Sequence, residues 1–156
     1  MSEEQAKGRF HKILVGIDGS EASIDASRYA IVIAKKYNSQ LTALFVLHLH
    51  GIRSVSSTFI TAPTYGIDLV EKEKSAAQQW LDGIKLEARG KDADLRTEIV
   101  EGSTSVEATI VDYAEREGVD LIVVGTRGLT GFKRSLLGSV ASGVVTYAHC
   151  PVMVVK

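Results

Sequence analysis

Hydrophobic residues fall into two alternating patterns along this chain. The first is the short unbroken run: KILVGID from Lys12 to Asp18, QLTALFVLH from Gln40 to His48, LIVV from Leu121 to Val124 ahead of a glycine, and PVMVV from Pro151 to Val155. Apolar runs of roughly four to eight residues are expected of strands covered on both faces, because helices shield each side of a parallel sheet. LRTEIV, from Leu95 to Val100, is more polar and reads as an edge strand. The second pattern is helical. Ser20 to Tyr37 spaces Ile24, Tyr29, Ala30, Ile33 and Ala34 at helical intervals, with Ser20 as N-cap. Tyr65 to Ala88 is a long, charged, amphipathic segment whose buried stripe is expected at Leu69, Ala76, Trp80, Leu81 and Ile84. Thr104 and Glu107 have capping-box spacing, and Val106, Ile110 and Ala114 then recur every four residues. Ser139 to His149 is a shorter final helix, stopped by Pro151.

Five strands alternating with four helices predict an α/β fold: an open, doubly wound, five-stranded parallel sheet with right-handed crossovers and helices on both faces. The more polar third strand belongs at an edge, which favours the order 3-2-1-4-5. That order reverses direction between strands 1 and 4. Ligands of such sheets sit at this switch point, beyond the carboxyl ends of the strands. Asp18-Gly19-Ser20 follows strand 1 and Gly125-Thr126-Arg127-Gly128 follows strand 4, so the two most turn-rich ends meet where a ligand is expected.

Length and composition narrow the class. The 156 residues suit a single domain spanning 1–156. Residues 1–10 read as a flexible N-terminal arm, and 50–65, rich in Ser and Thr, as a loop or lid on the ligand side. A formal net charge of -1 argues against a general nucleic-acid binder, which would show a basic face or tail. One cysteine, Cys150, permits no intrachain disulfide and fits a reducing compartment. MSEEQAKGRF lacks the apolar stretch of a secretory signal, and no segment approaches the ~18 consecutive apolar residues of a membrane helix. The expectation is a cytoplasmic protein without membrane contact.

The strongest chemical signal is GTRGLTGFKRSLLGS, from Gly125 to Ser139. Gly125, Gly128 and Gly138 permit close backbone approach and positive φ, so successive N–H groups can form an anion nest, and a helix N-terminus follows at Ser139. Arg127, Lys133 and Arg134 add cationic charge. The plainer reading is a surface loop whose glycines only make turns. The Walker spacing is absent, and Gly16-Ile17-Asp18-Gly19 stands where a dinucleotide fingerprint would need G-x-G-x-x-G.

The spacing G-x2-G-x9-G-S, with the early ILVGIDGS and the terminal HCPVMVV, closely resembles the universal stress protein family over Lys12 to Lys156, and the glycine motif marks that family's ATP-binding branch. The resemblance implies the adenine nucleotide alpha hydrolase-like fold and an adenine pocket along strands 1 and 2 touching Gly16, Ile17, Asp18 and Val46. It further implies that Val124, Gly125, Arg127 and Gly128 follow the ribose and phosphates, and that Gly138, Ser139 and Val140 hold the phosphates. ATP is the implied cofactor, with Mg²⁺ bound through its phosphates. Ala141 is a departure, since some members carry a hydroxyl residue there.

The remaining polar residues divide between function and local structure. Asp18 suits ribose hydroxyls or a nearby Mg²⁺, and equally an Asx-turn or a cap. Ser20 and Ser139 read as caps or phosphate contacts. His48 and His50 alternate at the end of strand 2 as two potential metal ligands, but the sequence offers no adjacent cysteine or carboxylate to complete a site. Cys150 beside His149 reads as a small packed hydrophobe rather than a nucleophile.

Two classes of function follow: a nucleotide-dependent binding module or switch in stress response, and a slow ATPase or phosphotransferase using the same crevice. A dimeric scaffold without nucleotide is a third. No residue is evidently placed to orient a nucleophile, so no catalytic residue is assigned and binding leads. A homodimer is expected through Val152-Met153-Val154-Val155, because an apolar edge strand needs a cover, whereas Arg96 and Glu98 blunt strand 3. Universal stress proteins commonly dimerise through this strand.

Overall fold

The computed structural model describes residues 10–48, 63–102, 104–126 and 137–156. Five strands form one sheet: β1 (Lys12–Ile17), β2 (Gln40–His48), β3 (Leu95–Gly102), β4 (Leu121–Gly125) and β5 (Val152–Val155). Its order is β3-β2-β1-β4-β5, and every pairing is parallel. The helices between them are α1 (Glu21–Tyr37), α2 (Pro63–Gly90), α3 (Val106–Glu117) and α4 (Ser139–Tyr147). This is the expected doubly wound sheet, with β3 and β5 as its edges.

Two apolar layers hold it together, as the period of two along a strand requires. Ile13, Val15 and Ile17 of β1 face α1 and α2, where they meet Ala26, Ala30, Ile31, Ala77, Leu81 and Ile84. Leu14 of β1 and Leu44 of β2 face the other way, onto Ile110 and Ala114 of α3 and Val144 of α4. Each fully buried Leu or Ile contributes about 1.5–3 kcal/mol from the area it removes from water.

Helix boundaries follow their caps. Ser20 caps α1, its Oγ accepting from the Ser23 amide at 3.1 Å, as expected. The α1 stripe needs one correction: Tyr29 is exposed, and Ala26 and Ile31 take the buried positions. Ser105, not Thr104, caps α3, with its Oγ accepting from the Ala108 amide. The capping-box reading therefore fails by one residue: with Ser105 as cap, Glu107 is the second helical residue, and its side chain lies against Gly143 of α4. α2 begins at Pro63, whose missing N–H costs nothing at a helix start, so the last residues of the 50–65 stretch are helical. The rest of that stretch, and the arm at 1–9, lie outside the described residues. Along α2, Leu69 is exposed while Val70 and Ala77 face the core. α4 ends at Tyr147, two residues short of the expected His149.

Tyr113 of α3 ties that helix to β3. Burial, and then a hydrogen bond to Glu98, push its phenol up to about 12. The native state thus holds this proton more tightly than the unfolded chain, whose tyrosine titrates near about 10. The stabilisation is complete below about pH 10 and fades as pH rises toward the native value. Tyr113→Phe is expected to cost about 1 kcal/mol at neutral pH and to flatten the loss of stability in alkali. Urea titrations at neutral and alkaline pH measure both effects.

Candidate functional site

Beyond the carboxyl ends of β1, β2 and β4 lies a cavity of about 360 Å³. That volume suits a small organic ligand, since such sites range from roughly 300 to 1,000 Å³. Its floor comes from strand ends: Gly16 and Ile17 of β1, Leu44 to Val46 of β2, and Val124 and Gly125 of β4. Val106 and Ile110 of α3 close one side, and Glu73 and Trp80 of α2 the other. Gly138, Ser139, Val140 and Ala141 open α4 onto it.

The register explains the opening. β1 pairs with β2 only as far as Ile17 against Phe45, whereas β2 continues beside β3 to His48. The edge of β2 that β1 occupies earlier is therefore open from Val46 onward. On β4, the Thr126 amide donates to the Val155 carbonyl at 2.9 Å, and the Gly138 amide donates to the Thr126 carbonyl at 2.7 Å. These two bonds bring the start of α4 back to the end of β4.

α4 has no side-chain cap: Gly138 is its N-cap, in extended backbone. Ser139 is the first helical residue and not the cap. A helix whose first turn lacks a capping oxygen retains unpaired N–H groups and a positive dipole end, here turned toward the cavity. Gly125 sits against the first turn of α1, since a Cβ there would meet the Ala22 carbonyl carbon at 2.7 Å. Gly16 differs. A Cβ there would make ordinary contacts with Ile110 and Val124, at 3.5 and 3.6 Å, so its side of the floor has room.

Asp18 lines the cavity and also makes the local turn. Its Oδ1 accepts from the Ser20 amide at 2.9 Å and from the Ser20 hydroxyl at 2.6 Å. The Asx-turn reading is thus realised, with the side chain still on the cavity wall. Of the residues singled out in the sequence, Gly16, Ile17, Asp18, Val46, Val124, Gly125, Gly138, Ser139 and Val140 all line this one cavity. Arg127 and Gly128, like Lys133, Arg134 and His50, lie outside the described residues.

The sequence profile of the universal stress protein family matches residues 9–156. The chain belongs to the universal stress protein family. A family member from Methanocaldococcus jannaschii is 40% identical over 149 residues, which span 94% of this chain and 82% of that protein. The solved structure of universal stress protein UspA from Lactobacillus plantarum superposes with a TM-score of 0.82 at 30% identity, covering 96% of this chain and 99% of that one. The universal stress protein of Archaeoglobus fulgidus, solved in complex with dAMP, has a TM-score of 0.69 at 21% identity, covering 95% of this chain and 99% of that one. At that identity the likeness is one of fold.

Several lining residues escaped the sequence reading. Trp80 was expected in the buried stripe of α2, and nothing in the helical pattern separates a cavity wall from a core. Glu73 is one charge among many on an amphipathic helix. Its position next to His48 corrects the expectation that no carboxylate lies near the β2 histidine. Burial pushes the Glu73 carboxyl up from its ordinary value, and His48 draws part of that back. Among the described residues, no group of three His, Cys, Asp or Glu converges as a metal site would need. Cys150 is partly buried away from this cavity. Burial, and then Asp120, push its thiol up and favour the unreactive protonated form.

Trp80 also fixes the turn after β1. Gly19 has φ of 82°, in the left-handed region, and a Cβ on it would overlap the indole ring. Gly19→Ala should cost about 1–3 kcal/mol through backbone strain and displacement of that ring. Trp80 is the chain's one tryptophan, so a thermal melt and its emission maximum report the two effects together. An unchanged melt and spectrum would remove Trp80 from this contact.

Proposed function

We propose that this protein binds ATP, with Mg²⁺ carried on the phosphates, and acts as a nucleotide-dependent binding module in the cytoplasmic stress response. The observation that carries the reading is the uncapped N-terminus of α4 opening onto an apolar cavity at the sheet's switch point. Family membership supports it, and the Archaeoglobus fulgidus protein, which shares the fold, was solved in complex with dAMP. In this reading Gly16, Ile17 and Val46 border the adenine, Asp18 takes ribose hydroxyls, and Val124 and Gly125 follow the sugar. Gly138, Ser139 and Val140 offer backbone to the phosphates, with Arg127 and Gly128 from the glycine motif. The room at Gly16 and the free N–H groups of α4 fit such a ligand. In this reading Mg²⁺ would be held chiefly by the phosphates.

Binding is favoured over turnover. Phosphoryl transfer needs a group to orient the nucleophile besides cations such as Arg127 and Mg²⁺, and no described residue is evidently placed for that role. Calorimetric titration with ATP and Mg²⁺ is expected to show saturable binding. Gly138 has φ of −60°, so Gly138→Val adds bulk with no left-handed strain. It should weaken ATP by about tenfold or more, roughly 1.4 kcal/mol. No heat of binding up to millimolar ATP would end the reading, and unchanged affinity in the variant would move the site elsewhere.

We further propose that the protein is a homodimer through β5. Val152, Met153 and Val154 are only half-buried at that edge, and α1, which packs on β4 and β5, leaves Tyr29 and Val32 exposed at 53% and 59%. An uncharged apolar edge favours pairing with a second copy about a two-fold axis. Sedimentation at micromolar concentration should give a dimer that Val152→Lys together with Val154→Lys dissociates. A wild-type monomer, or a double variant as dimeric as wild type, would rule this interface out.

A further inference from the structure

The α2 wall of the cavity holds one of the two carboxylates among its described lining residues. The other, Asp18, stands at the end of β1 and shares its Oδ1 with Ser20. Glu73 stands by the overhang of β2, where Val46 to His48 run beyond β1. His48 lies two residues past Val46 on the same face of the strand, roughly 6.6 Å farther along. With phosphates on α4, beyond β4, a nucleotide lying across β1 brings its base end toward this overhang. Glu73 then faces the same enclosed space as the ligand's negative charge.

Few other charges intervene among the described residues. From β2, His48 is the group that acts on Glu73. From β3, Glu101 is held by Lys74 at 3.7 Å. From α1, Arg28 pairs with Glu87, some 21 Å farther along α2 at the helical rise. Asp18 is the remaining charge among the described residues of the cavity wall. A carboxylate in this partly desolvated space acts on an anion more strongly than it would in water.

We propose that Glu73 is a charge-selecting residue of this site: its carboxylate weakens the hold on an anionic nucleotide and leaves a neutral nucleoside almost unaffected. The proposal rests on the adenine-nucleotide reading of the cavity. An anion bound in the cavity that Glu73 lines favours its protonated form, so proton uptake accompanies binding. Affinity for the anion therefore rises as pH falls through the range in which Glu73 titrates, which burial has lifted above that of an ordinary carboxylate. Replacing Glu73 isolates the contribution of this carboxylate.

Adenosine and cyclic AMP are the probes, since they share a base and the diester of cyclic AMP keeps one negative charge from mildly alkaline to mildly acid pH. Calorimetry on the full chain should show cyclic AMP gaining affinity on acidification while adenosine stays level. At mildly alkaline pH, Glu73→Gln should tighten cyclic AMP about three- to tenfold and move adenosine by less than about twofold. A variant that shifts both ligands alike, or neither, overturns the proposal with the site reading intact. Failure of both ligands to bind wild type overturns the site reading and the proposal with it. Should Glu73→Gln not fold, the wild-type profile decides: a level response of cyclic AMP to pH counts against Glu73.

Discussion

Where β1 and β4 lie side by side, the chain leaves them toward opposite faces of the sheet. β1 turns through Asp18-Gly19-Ser20 into α1 on one face, and β4 leads on toward α4 on the other. No helix can follow both strands in the same direction, so a crevice must open above their carboxyl ends. The crevice in which the candidate site lies depends on that divergence. It opens the first turn of α4 toward the cavity and sets Asp18 on its wall, beside the overhang that β2 gains by continuing along β3. The crevice is a consequence of strand order, and side chains then decide what it accepts.

Two tight contacts keep its width fixed. At Gly125 the end of β4 meets the backbone of Ala22, leaving no space for even a methyl group. At Gly19 the turn after β1 lies against Trp80, whose ring also approaches Phe45 at 6.1 Å between centroids. Through Trp80 the long helix α2 is fastened to the same turn that carries Asp18. α2 is thus part of the site as well as the cover of β2 and β3, which is why it contributes a polar group that a strand-centred view omits.

The fold was largely legible because its signals are local. Unbroken runs such as LFVL and LIVV mark strands buried on both faces, and the charges of Arg96 and Glu98 mark β3 as an edge. Gly125 and Asp18, at strand ends, and Gly138, at a helix start, were legible as well. What escaped depends on rotation and on distance. Helical spacing admits both Leu69 and Val70, and only packing against the sheet selects Val70. Glu107 matches a capping box by spacing, but Gly143 of α4 comes close enough to claim its side chain. His48 and Glu73 are 25 residues apart in the sequence, and nothing short of the folded arrangement shows that one answers the other.

This crevice is proposed as an adenine-nucleotide site. Its most direct test is to incubate purified protein with ATP and Mg²⁺, remove free ligand, denature it in acid and identify what is released by chromatography. The account predicts an adenine nucleotide in an amount approaching one per chain, and its loss in Gly138→Val. Protein that retains no nucleotide, or a Gly138→Val variant that retains as much as wild type, would contradict it.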